Sequence, residues 1–131
     1  MRKNINIIGI SCYYHDSAAA LVQNGRVINA IQEERLTRIK HDSSFPINSI
    51  KKILEINNLS LKEIDYFVFY EKPFVKFERL MDTYVSFAPN GIKSYLKSMP
   101  LWIGEKLFQK KKLINQLNKI EKIDHIEKKL K

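Results

Sequence analysis

A chain of 131 residues, 44% hydrophobic and 28% charged, holds enough apolar material for one ordinary core and is too apolar for a disordered tail. One cysteine excludes an internal disulfide, and no apolar run approaches the roughly 20 residues that cross a bilayer, so the expectation is a cytoplasmic protein with no membrane partner. The net charge of +9 is uneven: residues 101–131 carry nine lysines against four acidic residues, so the first hundred are only mildly basic, and with no zinc, helix-turn-helix or aromatic RNA-reading signature the charge does not point to nucleic acid.

The apolar run Ile5 to Cys12 predicts a first strand, with Cys12 a small buried residue in it. Ala18 to Gln23 predicts a second strand, and Asn24-Gly25, a strong two-residue hairpin signal, turns it into a third over Arg26 to Ile31. This antiparallel meander has Tyr13-Tyr14-His15-Asp16-Ser17 at one end and Asn24-Gly25 at the other. The segment Glu33 to Asp42 is almost wholly polar and reads as a loop. Pro46 then suits a helix start, with Ser43 or Ser44 as the cap, and Ile47, Ile50, Ile53 and Leu54 recur at helical spacing until Asn57-Asn58 ends the pattern.

Ile64 to Tyr70 is β-branched and aromatic without clean alternation, the pattern of a strand covered on both faces and lying parallel to its neighbour after a helical crossover. From Pro73 the pattern is helical; Pro89-Asn90-Gly91 breaks it, and a second helix from Ile92 is expected to stop at Ser98, ahead of Met99-Pro100. Beyond Pro100, Leu107, Ile114, Leu117, Ile120 and Leu130 form an amphipathic stripe whose covering surface is expected outside the chain. Phe74, Phe77, Trp102 and Phe108 read as core or interface residues. The fold class is thus α/β, a βββαβ unit followed by helices.

The segment from Tyr13 to Ala20 is the strongest site candidate, because it sets an imidazole (His15), a carboxylate (Asp16) and a hydroxyl (Ser17) beside three small alanines that leave room for a ligand. An imidazole can take a proton from an attacking hydroxyl at neutral pH, and Asp16 can orient it or help hold a metal. The same residues also suit an ordinary polar turn. Arg35, Arg38, Lys40 and His41 read either as an anion clamp, with guanidinium forks and an ammonium point charge, or as a solvated loop paired with Glu33 and Glu34. No Gly-rich phosphate loop, paired cysteines or paired-His metal spacing accompanies them, so no complete metal site is expected.

Four blocks in order, GISCYYHDSAAALV, QEERLTRIKHDSSFP, DYFVFYEKPFVKFERL and SMPLWIGEKLF, resemble the N-terminal region of carbamoyltransferases of the nodulation and antibiotic-tailoring type. The resemblance implies the first lobe, incomplete, of an actin-like, sugar-kinase or Hsp70-type fold over residues 1–110, followed by a Lys-rich helical tail over 111–131. It implies ATP and a divalent metal as cofactors, carbamoyl phosphate activated to carbamoyl-adenylate as donor, and a hydroxyl of a sugar or natural product as acceptor. Carried over by position, His15 and Asp16 are catalytic, while Ser17, Arg38 and Lys40 bind the donor. The family's paired-His metal motif has no match here, and a second lobe and an adenylate-forming domain would have to complete the enzyme. A non-catalytic interaction module that keeps the fold, and a free-standing ATPase or kinase of the same superfold, are the competing expectations.

Overall fold

The computed structural model describes residues 4–71 and 73–131, with the side chains of all of these except 73–77, 98, 102 and 105–107. The expectations for Phe74, Phe77, Trp102 and Leu107 therefore lie outside the described side chains. Two compact units divide the chain: residues 1–70 with 113–131, and residues 71–112.

The first unit is built on a mixed sheet of four strands, β1 (Asn6–Ser11), β2 (Ala18–Gln23), β3 (Arg26–Gln32) and β4 (Tyr66–Phe69), in the order β3-β2-β1-β4. The meander is antiparallel and β4 runs parallel to β1, as expected. The β2-β3 turn works because Asn24 and Gly25 both take positive φ, 52° and 81°, matching the twist of the strands they join. A register shift opposite Leu21 and Val22 bends the edge strand β3.

Alternation decides which face is core. Ile8 and Ile10 of β1, Ala19 and Leu21 of β2, and Phe67 and Phe69 of β4 are all buried on one face. Against them pack Ile50, Ile53 and Leu54 of α2 (Ile47–Ile56), which follows the one-turn helix α1 (Glu34–Thr37). Cys12 is buried in the same cluster. The expectation that β4 is covered on both faces is corrected: Tyr66 and Val68 point away from the core and are 42% and 39% exposed. Aromatic side chains on both faces hid an alternation of ordinary period two.

The tail also differs from expectation. Helices α5 (Gln109–Ile120) and α6 (Ile126–Lys129) return to the first unit, where Leu113, Leu117, Ile126 and Leu130 join the core and Ile114 and Ile120 flank it. Of the stripe expected to need an outside partner, Leu117 and Leu130 are buried in this core and Ile114 and Ile120 pack half-buried against it. The chain then reaches the outer edge of β4: Leu130 bridges Phe67, the Lys131 N–H donates to the Phe67 carbonyl at 2.8 Å, and the Phe69 N–H donates to the Lys131 carbonyl at 3.1 Å. Lys129 fixes this return by donating from Nζ to the carbonyls of Lys62 and Ile64 at 2.9 and 2.6 Å.

The second unit consists of α3 (Pro73–Ser86), α4 (Ile92–Leu107) and the start of α5. Gly91, at φ 87°, makes the expected break between α3 and α4, and the Tyr84 and Tyr95 rings meet across it with centroids 4.8 Å apart. The expected stop before Pro100 does not occur, because α4 runs through it. Proline removes one hydrogen bond from a helix interior without abolishing the remaining ladder, so a long helix tolerates it.

Leu117→Ala is expected to lower the unfolding free energy of the chain by about 2–5 kcal/mol, the range for a fully buried leucine. Urea unfolding checks it; a change below about 0.5 kcal/mol would show the tail to lie outside the core.

Candidate functional site

The end of the β1-β2 hairpin is held by backbone hydrogen bonds to the segment that follows β3. The Tyr13 N–H donates to the Ser43 carbonyl and the Ser17 N–H to the Asp42 carbonyl, each at 2.7 Å, while the Glu33 N–H donates to the Ser17 carbonyl at 2.9 Å. These bonds lay the polar segment 33–43 against the hairpin. Tyr13, Arg38 and His41 adopt left-handed backbone at φ 73°, 62° and 56°, a conformation that costs roughly 1 kcal/mol or more per non-glycine residue and persists where surrounding bonds impose it.

Glu33 is the residue whose role the sequence did not announce. Expected as a surface ion-pair partner, it is instead 1% exposed. One carboxylate oxygen accepts from the Asn48 N–H and Nδ2 at 3.0 and 2.7 Å, and the other from the Ser49 N–H and Oγ at 2.8 and 2.7 Å. Asn48 and Ser49 are the second and third residues of α2, whose cap position is Pro46 with no side-chain capping bond. Neither expected cap, Ser43 or Ser44, serves. An acidic side chain 15 residues upstream does the capping, where the partial positive charge of the helix N-terminus favours it. With two serines at hand as local caps, nothing in the sequence signalled that the acceptor comes from elsewhere.

Asp42 closes the segment. Its carboxylate accepts from Thr37 Oγ1 at 2.8 Å and from the Ser44 N–H at 2.9 Å, and hydrogen bonding, first from Ser44, holds its carboxyl below the ordinary 3.8. Burial pushes the Tyr13 phenol up to about 12, with Cys12 adding to the shift, so Tyr13 is a neutral phenol at physiological pH and no base.

On this frame the expected site residues separate. His15 is exposed at the hairpin tip, its ring edge-on to Tyr14 with centroids 4.2 Å apart. Oδ1 of Asp16 lies within hydrogen-bond distance of His41 Nδ1, at 2.9 Å, across 25 residues of sequence. Glu34 Oε2 takes the His41 N–H at 3.1 Å, and the ligand atoms of Asp16, Glu34 and His41 lie within 4.8 Å of one another. Arg35, Arg38 and Lys40 are exposed and make no ion pair among the described residues, so their charge is available to an anion. Ser17 is fully buried, and its Oγ has no hydrogen-bond partner among the described residues. The Tyr13 and Ser17 amides are spent on carbonyls, which leaves the exposed cations as the groups best suited to a phosphate.

A separate cavity of about 740 Å³ lies at the opposite end of β1, with Asn6, Gln23, Glu63 and Asp65 in its wall. These residues are tied to one another: Asn6 Nδ2 donates to the Glu63 carbonyl, Gln23 Nε2 to Asn6 Oδ1, and the Asn6 N–H to Asp65. Among the described residues no helix is long and apolar enough to cross a membrane.

Residues 6–130 match the family described as "Carbamoyltransferase N-terminus". An uncharacterized protein of Synechocystis sp. is 57% identical over 105 residues, which is 80% of this chain and 17% of that protein. The nodulation protein NolNO of Sinorhizobium fredii is 47% identical over 58 residues, 44% of this chain and 8% of its own length. An uncharacterized 19.2 kDa protein of Rhizobium etli is 43% identical over 58 residues, 44% of this chain and 34% of that protein. The aligned part of this chain thus spans well under half of each of these relatives.

Glu33→Ala is expected to destabilise the first unit by on the order of 3 kcal/mol, because it strands buried amides at the start of α2; equilibrium unfolding measures it. The stability that Asp42 confers is present above the ordinary carboxyl pKa and is lost as pH falls through its lowered folded value. Asp42→Asn is therefore expected to lose less stability between pH 5 and pH 2.5 than the parent, measured as the shift of the urea midpoint with pH. Parallel curves for the two proteins would contradict this.

Proposed function

The chain belongs to the carbamoyltransferase N-terminus family, and from that premise we propose that it supplies the hairpin half of a site that transfers a carbamoyl group from carbamoyl-adenylate to an acceptor hydroxyl. One observation carries the reading: the Asp16–His41 contact draws the loop bearing the unpaired Arg38 and Lys40 to the hairpin bearing His15. A proton acceptor and two anion-binding cations therefore belong to one joined surface, which is what acyl transfer from a phosphate anhydride requires.

In this reading His15 takes the proton of the acceptor hydroxyl as its oxygen bonds to the carbamoyl carbon, and the bond from that carbon to the phosphate oxygen breaks. Arg38 and Lys40 hold the phosphate and its departing charge. Asp16 acts through His41 to keep the loop in place. Ser17 enters as the buried root of the hairpin, since its side chain has no exposed surface in this structure. ATP supplies the adenylate that activates the carbamoyl group. The exposed cations suit that anion; the hairpin amides of Tyr13 and Ser17, already bonded to carbonyls, do not.

The strand order β3-β2-β1-β4 with β4 parallel to β1 supports the finer reading of the first unit as part of an actin-like lobe. A second lobe and an adenylate-forming domain then belong to the longer enzyme, which acts in the cytoplasm on a sugar or natural-product hydroxyl.

In a full-length enzyme containing this segment, His15→Asn is expected to cut acceptor carbamoylation by at least about 10²-fold, the lower range for removal of a general base, while ATP-dependent adenylate formation continues. The exposed position of His15 predicts an unchanged circular dichroism spectrum. Full transfer by that variant would remove His15 from the chemistry and favour an interaction module.

A further inference from the structure

Two carboxylates and an imidazole meet at one point on the first unit, and each comes from a different element. Asp16 lies on the hairpin, Glu34 opens α1, and His41 ends the loop after it. Asp16 and His41 are held through their neighbours, Ser17 bonded to Asp42 and Asp42 to Thr37 and Ser44, while Glu34 itself accepts the His41 N–H. Their ligand atoms lie within 4.8 Å of one another. Around an ion with bonds of roughly 2.0–2.2 Å, adjacent ligand atoms stand roughly 3–3.5 Å apart, so the set has to draw in by no more than about 2 Å to close on one.

Among the described residues no lysine or arginine balances the charge at this point. Arg35 of α1 and Arg38 and Lys40 of the loop after it are near in sequence, yet among the described residues none forms an ion pair with Asp16 or Glu34. Two carboxylates therefore face each other with only a histidine between them. A cation entering there gains both charges and the imidazole nitrogen, and it replaces the Nδ1–Asp16 hydrogen bond by two metal bonds. The nitrogen ligand favours a first-row transition ion over Mg²⁺ or Ca²⁺, which take all-oxygen sets.

We propose that Asp16, Glu34 and His41 form a Zn²⁺-class binding site that staples the β1-β2 hairpin to the loop carrying Arg38 and Lys40. The site is open on its solvent side, where His41 is 70% exposed, so water or a ligand oxygen completes the coordination. It rests on this geometry alone and stands or falls independently of the transfer reaction. It is also distinct from a paired-His motif, which this sequence lacks.

Isothermal titration of the 131-residue chain with Zn²⁺ alone, repeated with Co²⁺ for its visible absorption, tests the site. One saturable ion per chain is expected, with affinity reduced at least tenfold in His41→Ala and in Glu34→Gln. The second variant keeps an oxygen to accept the His41 N–H, so it separates loss of a ligand from loss of the loop. His125→Ala, which removes an exposed histidine elsewhere, is expected to bind as the parent does. Zn²⁺ is expected to raise the thermal unfolding midpoint of the parent and not of His41→Ala. Absence of saturable binding, or binding that survives His41→Ala and Glu34→Gln or disappears in His125→Ala, overturns the assignment.

Discussion

A buried carboxylate is tolerable only if its lone pairs are taken up, and Glu33 has four donors arranged around it. Two of them are the amides that open α2, so the same side chain that needs partners supplies the cap the helix lacks. Because the Glu33 N–H also holds the Ser17 carbonyl, one residue connects the hairpin, the end of β3 and the start of α2. The position of everything between residues 33 and 43 follows from that junction. With its two ends fixed, the intervening segment has to turn sharply, and Arg38 and His41 take left-handed backbone to do so.

The consequence is a division of labour within one short polar stretch. Glu33 and Asp42 are structural and turned inward, at 1% and 8% exposure, whereas Arg38, Lys40 and His41 are displayed. A stretch that looks uniformly solvated in sequence is thus a bracket: two buried acids hold it and the basic residues face out, with Glu34 half-buried beside His41. Asp16 completes the arrangement from the hairpin side through His41. That sorting is what makes an anion-handling surface physically reasonable beside His15, since cations already paired with Glu33 or Glu34 would have little charge to offer.

The parts of the fold governed by local rules were legible in the sequence. Asn24-Gly25 fixes its turn by backbone conformation, Ile50, Ile53 and Leu54 fix their helix face by spacing, and Asn57 ends that helix where expected. The parts governed by contacts distant in sequence were not. Glu33 reaches 15 and 16 residues to α2, Asp16 reaches 25 to His41, and Leu117 reaches back to a sheet that begins at Asn6. Pro100 misled for a different reason: a proline lowers helix stability without forbidding a helix, and a helix that runs from Ile92 to Leu107 can lose one bond. Among the site residues, the hairpin and the basic loop were each visible as segments; that they meet became apparent only from the bonds of Tyr13, Ser17 and Glu33 and from the Asp16–His41 contact.

In the proposed transfer reaction the hairpin and the basic loop together bind the adenylate half of the donor. Titrating the isotopically labelled chain with adenosine monophosphate, while following backbone amide chemical shifts, tests it directly. Saturable shifts are expected to concentrate at residues 13–17 and 37–42 and to shrink in a variant carrying both Arg38→Ala and Lys40→Ala. Shifts confined to the cavity around Asn6 and Asp65, or no saturable shift at millimolar nucleotide, would contradict it.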